Sequence, residues 1–418
     1  MNREGDHSMI DRHIYKEVET AIKSKPVTLI AGARQVGKTS LALLFAKNYH
    51  FNYVSLDSYK ERELARNDPL MFLSLHPWPL IIDEVQYAPE LFDALEEVVN
   101  KEKIRNEKNY GMYILTGSQM YRLMGNVTES MAGRISIIHM LPLSRNEILG
   151  REEPVFHFDY SDIQKRAQAN PLPPLELYED IVKGFYPELY SNDNLRIQKF
   201  YSDYVETYVE RDVSQLMNVK NKMAFRQFLE LIASLTGQEL IYDNVAKIVG
   251  VDKKTIVSWL SILLAGDIVY LLEPYHEFSI AKRIVKRPKI YFNDTGLACY
   301  LMGITSGDVL KSGIYSGRLV ETYIINELRK SYINNGVEPF FYYYRDNNGN
   351  EIDLVIIQNG VLHRVECKSG MMFNLGAVKG FKQLDGTHYL KGQKAILCNT
   401  DSLYSLGDDT YVLPIAGI

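Results

Sequence analysis

The sequence is short of cysteine and has no segment typical of a leader or a membrane anchor. Its 418 residues include three cysteines, an odd number without CxxC spacing: Cys299, Cys367 and Cys398. This scarcity argues against a disulfide framework and a structural zinc site, and predicts three reduced thiols. The first seven residues carry charges of both signs with no apolar core behind them, unlike a signal peptide. No run approaches the ~20 apolar residues of a membrane span, so we expect a cytoplasmic protein without a membrane partner.

An excess of basic charge is also absent. The chain has 47 Lys and Arg against 52 Asp and Glu, and its net charge is −5. A surface that is basic throughout is therefore excluded, and any contact with nucleic acid would need a local patch. The composition, 46% hydrophobic and 24% charged, is typical of a globular protein. The chain is too long for one core, and the usual domain size predicts about three domains.

The sequence does contain a complete phosphate-binding pattern. An apolar strand pattern at 27–31 ends at Gly32, and a helix pattern begins near Lys38. Gly32 and Gly37 let the backbone curl so that successive N–H groups and the helix dipole face an anion. Lys38 is expected to reach the β- and γ-phosphates of ATP, and the Thr39 hydroxyl to ligate Mg²⁺. The predicted nucleotide-binding residues are Gly32, Ala33, Arg34, Gln35, Val36, Gly37, Lys38, Thr39 and Ser40.

A second strand pattern ends in two carboxylates. Residues 79–82 are typical of a buried parallel strand, and Asp83 and Glu84 follow directly. An acidic pair at a strand end often only solvates a loop. Here it follows Lys38 at a distance of about 45 residues in an α/β pattern, the layout of a P-loop ATPase. We therefore expect Asp83 to hold Mg²⁺ and Glu84 to polarise the attacking water.

Two further polar residues are candidates for contacts with the γ-phosphate. A third apolar strand at 112–115 ends in Thr-Gly-Ser-Gln, and Ser118 is the predicted γ-phosphate sensor, although a simple turn would have the same sequence. Arg134 precedes another strand and is a candidate arginine finger or phosphate contact. The alternative for Arg134 is a surface ion pair. A finger would imply that the chain assembles as a homo-oligomer.

These motifs together resemble a prokaryotic family of AAA+-type ATPases whose members carry a C-terminal domain of unknown function. The resemblance covers nearly the whole chain. It implies a P-loop fold with a parallel sheet and the use of ATP, but no particular cellular role. The stretches that carry it are 32–39, 82–86, 115–118, 131–134, 182–188 and 204–212.

The middle of the chain has the order of a winged helix. Polar, proline-bearing residues 151–174 predict a boundary loop. Helix patterns at 225–235, 242–249 and 253–264 are followed by a strand pattern at 267–272. The stretch 281–289 has five basic residues in nine, and such a wing would grip the phosphates of double-stranded DNA. The alternative is a module that only joins two domains, with a solvated basic hairpin.

The last part of the chain contains the strongest short hairpin signal. Asn359-Gly360 lies between two alternating strand patterns and predicts a two-residue turn. In that register the numbers of opposite residues sum to 719, as for Gln358 and Val361, which sets Asp353 opposite Glu366. Opposed carboxylates repel each other, and a cation between them would remove the penalty. Mg²⁺ prefers such oxygen ligands, and Lys368 would help activate a water for attack on phosphorus.

This arrangement is similar to the PD-(D/E)xK nuclease core. Asp353 and the run Glu366-Cys367-Lys368 match its motif, with Ile352 in place of the motif proline. The preceding helix pattern at 317–330 has a single apolar stripe and carries Glu321 near its start. The resemblance implies catalytic roles for Glu321, Asp353, Glu366 and Lys368, and metal binding by Asp353 and Glu366. Two alternatives stay open: an ordinary hairpin in which Lys368 pairs with Glu351, and a nuclease fold that binds without cutting.

The sequence thus predicts an α/β protein of consecutive modules. We expect a P-loop ATPase domain with a parallel sheet at 1–150, a linker and helical lid at 151–220, a winged-helix module at 221–296, and a restriction-endonuclease-like domain at 297–418. The predicted function is ATP hydrolysis coupled to Mg²⁺-dependent binding or cleavage of DNA. The alternative is an ATP-switched regulator that binds DNA or protein through a non-catalytic nuclease fold.

Overall fold

The first module is a parallel sheet between helices. The computed structural model describes residues 10–106, 109–118, 131–207, 222–277 and 287–418. The strands of this sheet are β1 (Val27–Ala31), β2 (Asn52–Ser55), β3 (Leu80–Asp83), β4 (Tyr113–Gly117) and β5 (Ile135–His139). The helices are α1 (Tyr15–Ser24), α2 (Lys38–Tyr49), α3 (Tyr59–Asn67), α4 (Pro69–Leu75) and α5 (Leu91–Arg105).

The strand order, β2-β3-β4-β1-β5, places the P-loop at the centre of the sheet. All four strand pairs are parallel, and β1 aligns Val27 with Tyr113 on one side and with Ile135 on the other. All five residues of β1 are buried, as helices on both faces of a parallel sheet require. Because the carboxyl ends of parallel strands meet at one edge, the loops after β1, β3 and β4 converge there.

The middle module contains the three predicted helices and a small sheet. After α6 (Arg145–Ile148), the helices are α7 (Tyr160–Ala169), α8 (Pro174–Lys183), α9 (Glu188–Ser191), α10 (Ile197–Thr207), α11 (Lys222–Ser234), α12 (Tyr242–Val249) and α13 (Lys253–Ala265). An antiparallel sheet has the order β6 (Gln238–Glu239), β8 (Lys289–Phe292) and β7 (Val269–Leu272). The helices predicted at 225–235, 242–249 and 253–264 are confirmed.

The segment predicted as a boundary loop, 151–174, includes a packed helix. The ring of Tyr160, at the start of α7, lies 4.5 Å from the ring of Tyr411, and its hydroxyl contacts Gln393. Both partners belong to the C-terminal sheet. The prediction of a loop is wrong for Tyr160–Ala169, because α7 is stabilised by residues more than 200 positions away.

The C-terminal module is a mixed sheet beside one long helix. After α14 (Thr295–Leu301) and α15 (Gly307–Ser312) come α16 (Ser316–Ile333) and the strands β9 (Phe341–Arg345), β10 (Glu351–Gln358), β11 (Val361–Lys368), β12 (Leu390–Cys398), β13 (Tyr404–Gly407) and β14 (Thr410–Pro414). A 3₁₀ segment at Leu375–Leu384 connects β11 to its parallel neighbour β12. The sheet order is β13-β14-β12-β11-β10-β9.

The predicted hairpin register is confirmed. Gln358 pairs with Val361, and the residue numbers of each further pair, as far as Leu354 and Val365, also sum to 719. Asn359 and Gly360 have φ angles of 52° and 77°, as a type I′ turn requires. This turn brings Asp353 and Glu366 to the same end of the hairpin.

α16 lies in a core that is continuous through all three modules. Thirteen of its eighteen residues are buried, far more than the single apolar stripe expected from its sequence. The same core contains Val18 of α1, Phe225 of α11 and Leu354 of β10. The helix therefore has neighbours on nearly every side. Within the described ranges, no helix combines the length and the apolar character needed to cross a bilayer.

Candidate functional sites

The P-loop has the backbone geometry of an anion cup. Gly37 has φ 97° and directly precedes α2, while Gln35 has φ 62°. A Cβ atom at Gly32 would clash with the Met140 carbonyl oxygen, so only glycine fits there. The curled loop and the start of α2 together present backbone N–H groups to one point.

Lys38 lies at the bottom of this cup. Its side chain is buried, and its ammonium donates to the carbonyl oxygens of Gly32 and Ala33 at 2.9 and 2.6 Å. Burial lowers the pKa of Lys38 to about 8, although the carboxylate of Glu84 acts in the opposite direction. A triphosphate in the cup would supply the negative charge that favours the ammonium form.

Asp83 contacts hydroxyl groups from three other elements. Its carboxylate accepts from Thr39 Oγ1 at 3.1 Å, from the Tyr53 hydroxyl at 2.9 Å and from Thr116 Oγ1. The hydroxyl of Thr39 and the carboxylate of Asp83 are the oxygen ligands that Mg²⁺ prefers. These oxygen atoms fit a magnesium ion bound with a nucleotide, and the roles predicted for Thr39 and Asp83 stay predictions.

Thr116 is a site residue that the sequence reasoning missed. Its hydroxyl donates to Asp83 and accepts from the Glu84 backbone N–H at 3.1 Å. Ser118, the predicted sensor, follows Thr116 two residues later in the chain. Its Oγ accepts from the Gln86 amide at 3.2 Å. The same amide donates to the Glu84 carboxylate. Residues 116 and 118 are two positions apart, so alternation along β4 places both side chains on one face, and the sequence did not distinguish them.

Arg134 lies at the opposite edge of the sheet from the P-loop. It precedes β5, and its backbone carbonyl accepts from the N–H of Val27 at the amino end of β1. Its guanidinium is 3.2 Å from Glu96 and 2.9 Å from Asn100 on α5. The structure therefore places Arg134 in a surface ion pair, and within one chain it does not reach the phosphate site.

Arg12 is a second residue near the P-loop that no motif indicated. Its guanidinium donates to the carbonyl oxygens of Val36 and Leu141 at 2.6 and 2.7 Å, and lies 3.0 Å from Glu147. A single arginine before the first helix has no sequence signature. Only the fold shows that it connects the P-loop to α6.

The stretch 182–188, part of the family resemblance, packs beside the same loop. Asp294 is buried and accepts from the Phe185 backbone N–H at 2.7 Å and from the Tyr201 hydroxyl at 2.8 Å. Pro187 lies next to Gly37, at one wall of a cavity of about 130 Å³. The cavity is also lined by Ile10, Leu41, Leu44 and Leu143. These residues hold the middle module against the P-loop.

The acidic site lies at the open end of the hairpin. Asp353 Oδ2 accepts from the Cys367 backbone N–H at 2.9 Å and lies 3.0 Å from the Lys368 ammonium. Lys368 also contacts Glu366. Burial and the adjacent Asp353 carboxylate raise the pKa of Glu366. Although burial acts against it, Lys368 and Lys289 lower the pKa of Asp353. Lys368 thus bridges the two carboxyl groups of Asp353 and Glu366.

Glu321 lies beside this pair but contacts other residues. Its Oε1 accepts from the Tyr291 hydroxyl at 2.6 Å and from the Lys289 ammonium at 3.1 Å. Lys289 is also 2.7 Å from Glu351, so the ion pair considered between Glu351 and Lys368 is replaced by one with Lys289. In the described part of the chain, no group of three or more His, Cys, Asp and Glu has the geometry of a metal site.

The DNA contact predicted for the basic stretch 281–289 cannot include Lys289. Lys289 is 2% exposed, because its ammonium lies between two carboxylates. Residues 281–286 lie outside the described part of the chain. Arg287 is exposed and remains a candidate for a phosphate contact.

Comparisons with known proteins support an assignment for the first module. Residues 24–149 match a family model described as an AAA domain. With the P-loop, the acidic end of β3 and the parallel sheet, this match defines an AAA-type P-loop ATPase domain. Two models described as domains of unknown function, DUF8612 and DUF4143, match residues 175–308 and 316–418. Neither description contains an activity.

The chain also resembles whole proteins and solved structures. An uncharacterized protein of Mycobacterium tuberculosis is 26% identical over 349 residues, or 83% of this chain and 71% of the relative. An uncharacterized protein of Methanocaldococcus jannaschii is 23% identical, covering 73% of this chain and 68% of the relative. A Walker-type ATPase of Pyrococcus abyssi is 14% identical with a TM-score of 0.43, covering 71% of this chain and 97% of that one. The RuvB Holliday junction branch migration motor of Thermotoga maritima is 16% identical with a TM-score of 0.31, covering 62% of this chain and 88% of that one.

Proposed function

We propose that the first module binds and hydrolyses ATP with Mg²⁺, and that its nucleotide state controls binding or cleavage of double-stranded DNA by the rest of the chain. The observation that carries the ATPase proposal is the contact between Thr39 and Asp83, directly beside the buried Lys38. In this proposal Lys38 neutralises the β- and γ-phosphates, and Thr39 with Asp83 holds Mg²⁺. Glu84, at the end of β3, orients the attacking water.

The adenine base would bind in the small cavity beside the P-loop. That cavity measures about 130 Å³ and is lined mainly by aliphatic side chains of α2 and of three connecting segments, Ile10, Leu41, Leu44, Leu143 and Pro187. A planar apolar base suits such walls. Binding there would join the middle module to the nucleotide, because Pro187 belongs to the middle module.

The middle module supplies the proposed DNA contact. Helices α11, α12 and α13 with β6, β7 and β8 follow the order of a winged helix. Lys253 and Lys254 are exposed in the first turn of α13, where they would approach a phosphate backbone. Arg287, just before β8, would add a further phosphate contact.

The C-terminal module is the proposed nuclease. The order α16, β9, β10, β11, crossover and β12 resembles a restriction-endonuclease core. Asp353 and Glu366 lie at its open end with Lys368 between them. When bound, Mg²⁺ would supply Lewis-acid stabilisation of the phosphate. Asp353 and Glu366 would hold it, and Lys368 would orient the attacking water.

α16 supports the proposed coupling between the two activities. Near its end, Glu327 accepts from the Arg145 backbone N–H at 2.7 Å, and Lys330 donates to the Leu143 carbonyl at 2.8 Å. Near its start, the same helix carries Glu321. A shift of the segment after β5 during ATP hydrolysis would therefore move a helix that borders the acidic site.

A non-catalytic C-terminal module is the second candidate. It is favoured by the contacts of Lys368, whose ammonium already compensates both Asp353 and Glu366 without a metal ion. In that case the module would bind DNA or protein and cut nothing, and ATP would act as a switch.

A plasmid-nicking assay separates the two candidates. The full chain is incubated with supercoiled plasmid, ATP and Mg²⁺ or Mn²⁺, and the wild type is compared with Lys368→Ala. Nicking that disappears in Lys368→Ala supports the nuclease. Slower migration of the plasmid on a gel, without nicking by the wild type or by Lys368→Ala, supports the binding module. ATP turnover that persists in Lys38→Ala would contradict the ATPase proposal.

A further inference from the structure

Lys289 connects the middle module to the acidic site. It begins β8, whose two partner strands are β6 and β7, yet its ammonium lies between carboxylates of the C-terminal module. The distances are 3.1 Å to Glu321 on α16 and 2.7 Å to Glu351 at the start of β10. Lysine is almost never buried to this extent unless it is paired. Strand β8 thus extends from one module into the site of the next.

Tyr291 reaches the same carboxylate from the same strand. Side chains two positions apart lie on one face of a strand, so Lys289 and Tyr291 point to the same side of β8. The Tyr291 hydroxyl donates to Glu321 Oε1 at 2.6 Å, the oxygen that Lys289 also contacts. Two donors on one oxygen fix the orientation of the carboxylate, including that of its other oxygen.

Stability alone does not explain a charge at this position. A buried ion pair is weak evidence for stabilisation, because removing the ions from water costs nearly as much as their attraction returns. An apolar side chain of similar length would fill the same space. The arrangement of charges is specific: Lys289 bridges Glu321 and Glu351, and Lys368 bridges Asp353 and Glu366.

We propose that Lys289 is a positioning residue of the acidic site, which with Tyr291 holds Glu321 and Glu351 in place beside Asp353. The site is then completed by the middle module, although its reacting residues belong to the C-terminal one. The inference deepens the proposed nuclease function and rests on it for the reaction readout. It also has a readout that is independent of cleavage, the binding of Mn²⁺.

The direction of the change in Mn²⁺ affinity tests the proposal. The full chain without nucleotide is titrated with Mn²⁺, free Mn²⁺ is measured by electron paramagnetic resonance, and sites that disappear in Asp353→Asn are counted as the acidic site. Removing a positive charge would by electrostatics alone tighten Mn²⁺ binding. Loss of positioning weakens it. We expect Lys289→Met to weaken binding about tenfold and Lys289→Arg to restore at least half of the loss on a logarithmic scale.

Lys394→Met is the matched control. Lys394 lies on β12 of the same sheet and pairs with Asp408 at 3.1 Å, away from the acidic site. This variant should follow the wild type in Mn²⁺ binding, and thermal unfolding of all variants verifies that they are folded. Tighter binding by Lys289→Met, or the same affinity as Lys394→Met, would overturn the proposal.

The nicking assay adds a second readout. Lys289→Met should lower kcat about tenfold and leave the KM for plasmid within twofold, since Lys289 does not face DNA. If the wild type binds Mn²⁺ at Asp353 but does not nick, the proposed cleavage fails and the Mn²⁺ titration still decides the role of Lys289. If the wild type binds no Mn²⁺ that depends on Asp353, the positioning proposal is overturned together with the metal site.

Discussion

The phosphate site and the acidic site are built in different ways. Most of the phosphate site comes from one short segment, 32–39, and from the ends of β3 and β4 beside it. The acidic site combines Glu321 on α16, a hairpin that begins 18 residues after the end of α16, and Lys289 from another module. A contiguous motif specifies its own geometry through local backbone angles. A dispersed site depends on the packing of whole elements, so its members have no fixed spacing in sequence.

Lys38→Ala tests the contiguous site and should have the largest effect. Loss of its ammonium removes the main charge compensation for the β- and γ-phosphates. We expect ATP turnover to fall by about 10²–10³-fold. The measurement is phosphate release at saturating ATP. Lys47→Ala, an exposed lysine on the same helix, is the control and should retain activity near that of the wild type.

Gly184→Ala tests whether the two sites belong to one cooperative unit. Gly184 has φ 76°, and an added Cβ would clash with the Tyr201 hydroxyl and lie 2.8 Å from Asp294. We expect a loss of about 2–4 kcal/mol in the free energy of unfolding. Urea unfolding is followed with probes in the first and third modules.

A continuous core predicts that both probes change together. Separate transitions would show that the sites belong to independent units. Gly317→Ala is the control, because its Cβ would meet no atom within 4 Å in α16. That substitution should change the free energy of unfolding by less than about 1 kcal/mol, in the stabilising direction.

Thr116→Val compares the residue found in the structure with the residue predicted from the sequence. It removes the hydrogen bonds to Asp83 and to the Glu84 backbone. We expect about a tenfold fall in ATP turnover, equivalent to about 1.4 kcal/mol. Ser118→Ala should change turnover less than about threefold. A larger effect for Ser118→Ala would support the assignment of Ser118 as the sensor.

The contact between His139 and Asp267 should have the smallest effect. His139 Nδ1 and Asp267 Oδ2 lie 3.6 Å apart at a cleft of about 570 Å³ that is lined by residues of all three modules. Asp267 raises the pKa of His139 above its usual value. The stabilisation is therefore fully present below about pH 6.5 and is lost as the pH rises through the higher pKa of the folded state.

Because the His139 side chain is half exposed, the contact should contribute less than about 1 kcal/mol. Urea midpoints of the wild type and Asp267→Asn, measured from pH 5 to pH 9, would test this. The two curves should converge at high pH. If the two midpoints differed by the same amount at every pH, the charge of His139 would not contribute to the stabilisation by Asp267.

Local rules predicted the elements better than their assembly. Alternation and turn chemistry gave the hairpin register, because an Asn-Gly turn permits only one alignment of its strands. Helix periodicity located α12 and α13. The same rules gave α16 a single apolar stripe, whereas the structure buries it on nearly all sides. They also missed α7, which is stabilised by residues distant in sequence.

The sequence by itself determined the P-loop, the acidic ends of the strands and the opposed carboxylates of the hairpin. Each depends on residues close enough in the chain for backbone geometry to decide their relation. Tertiary structure alone decided that Arg134 lies away from the phosphates, that Arg12 holds the P-loop, and that Lys289 reaches Glu321. A long charged side chain pairs with whichever groups the packed helices and strands place within its reach. A local sequence pattern does not specify those partners.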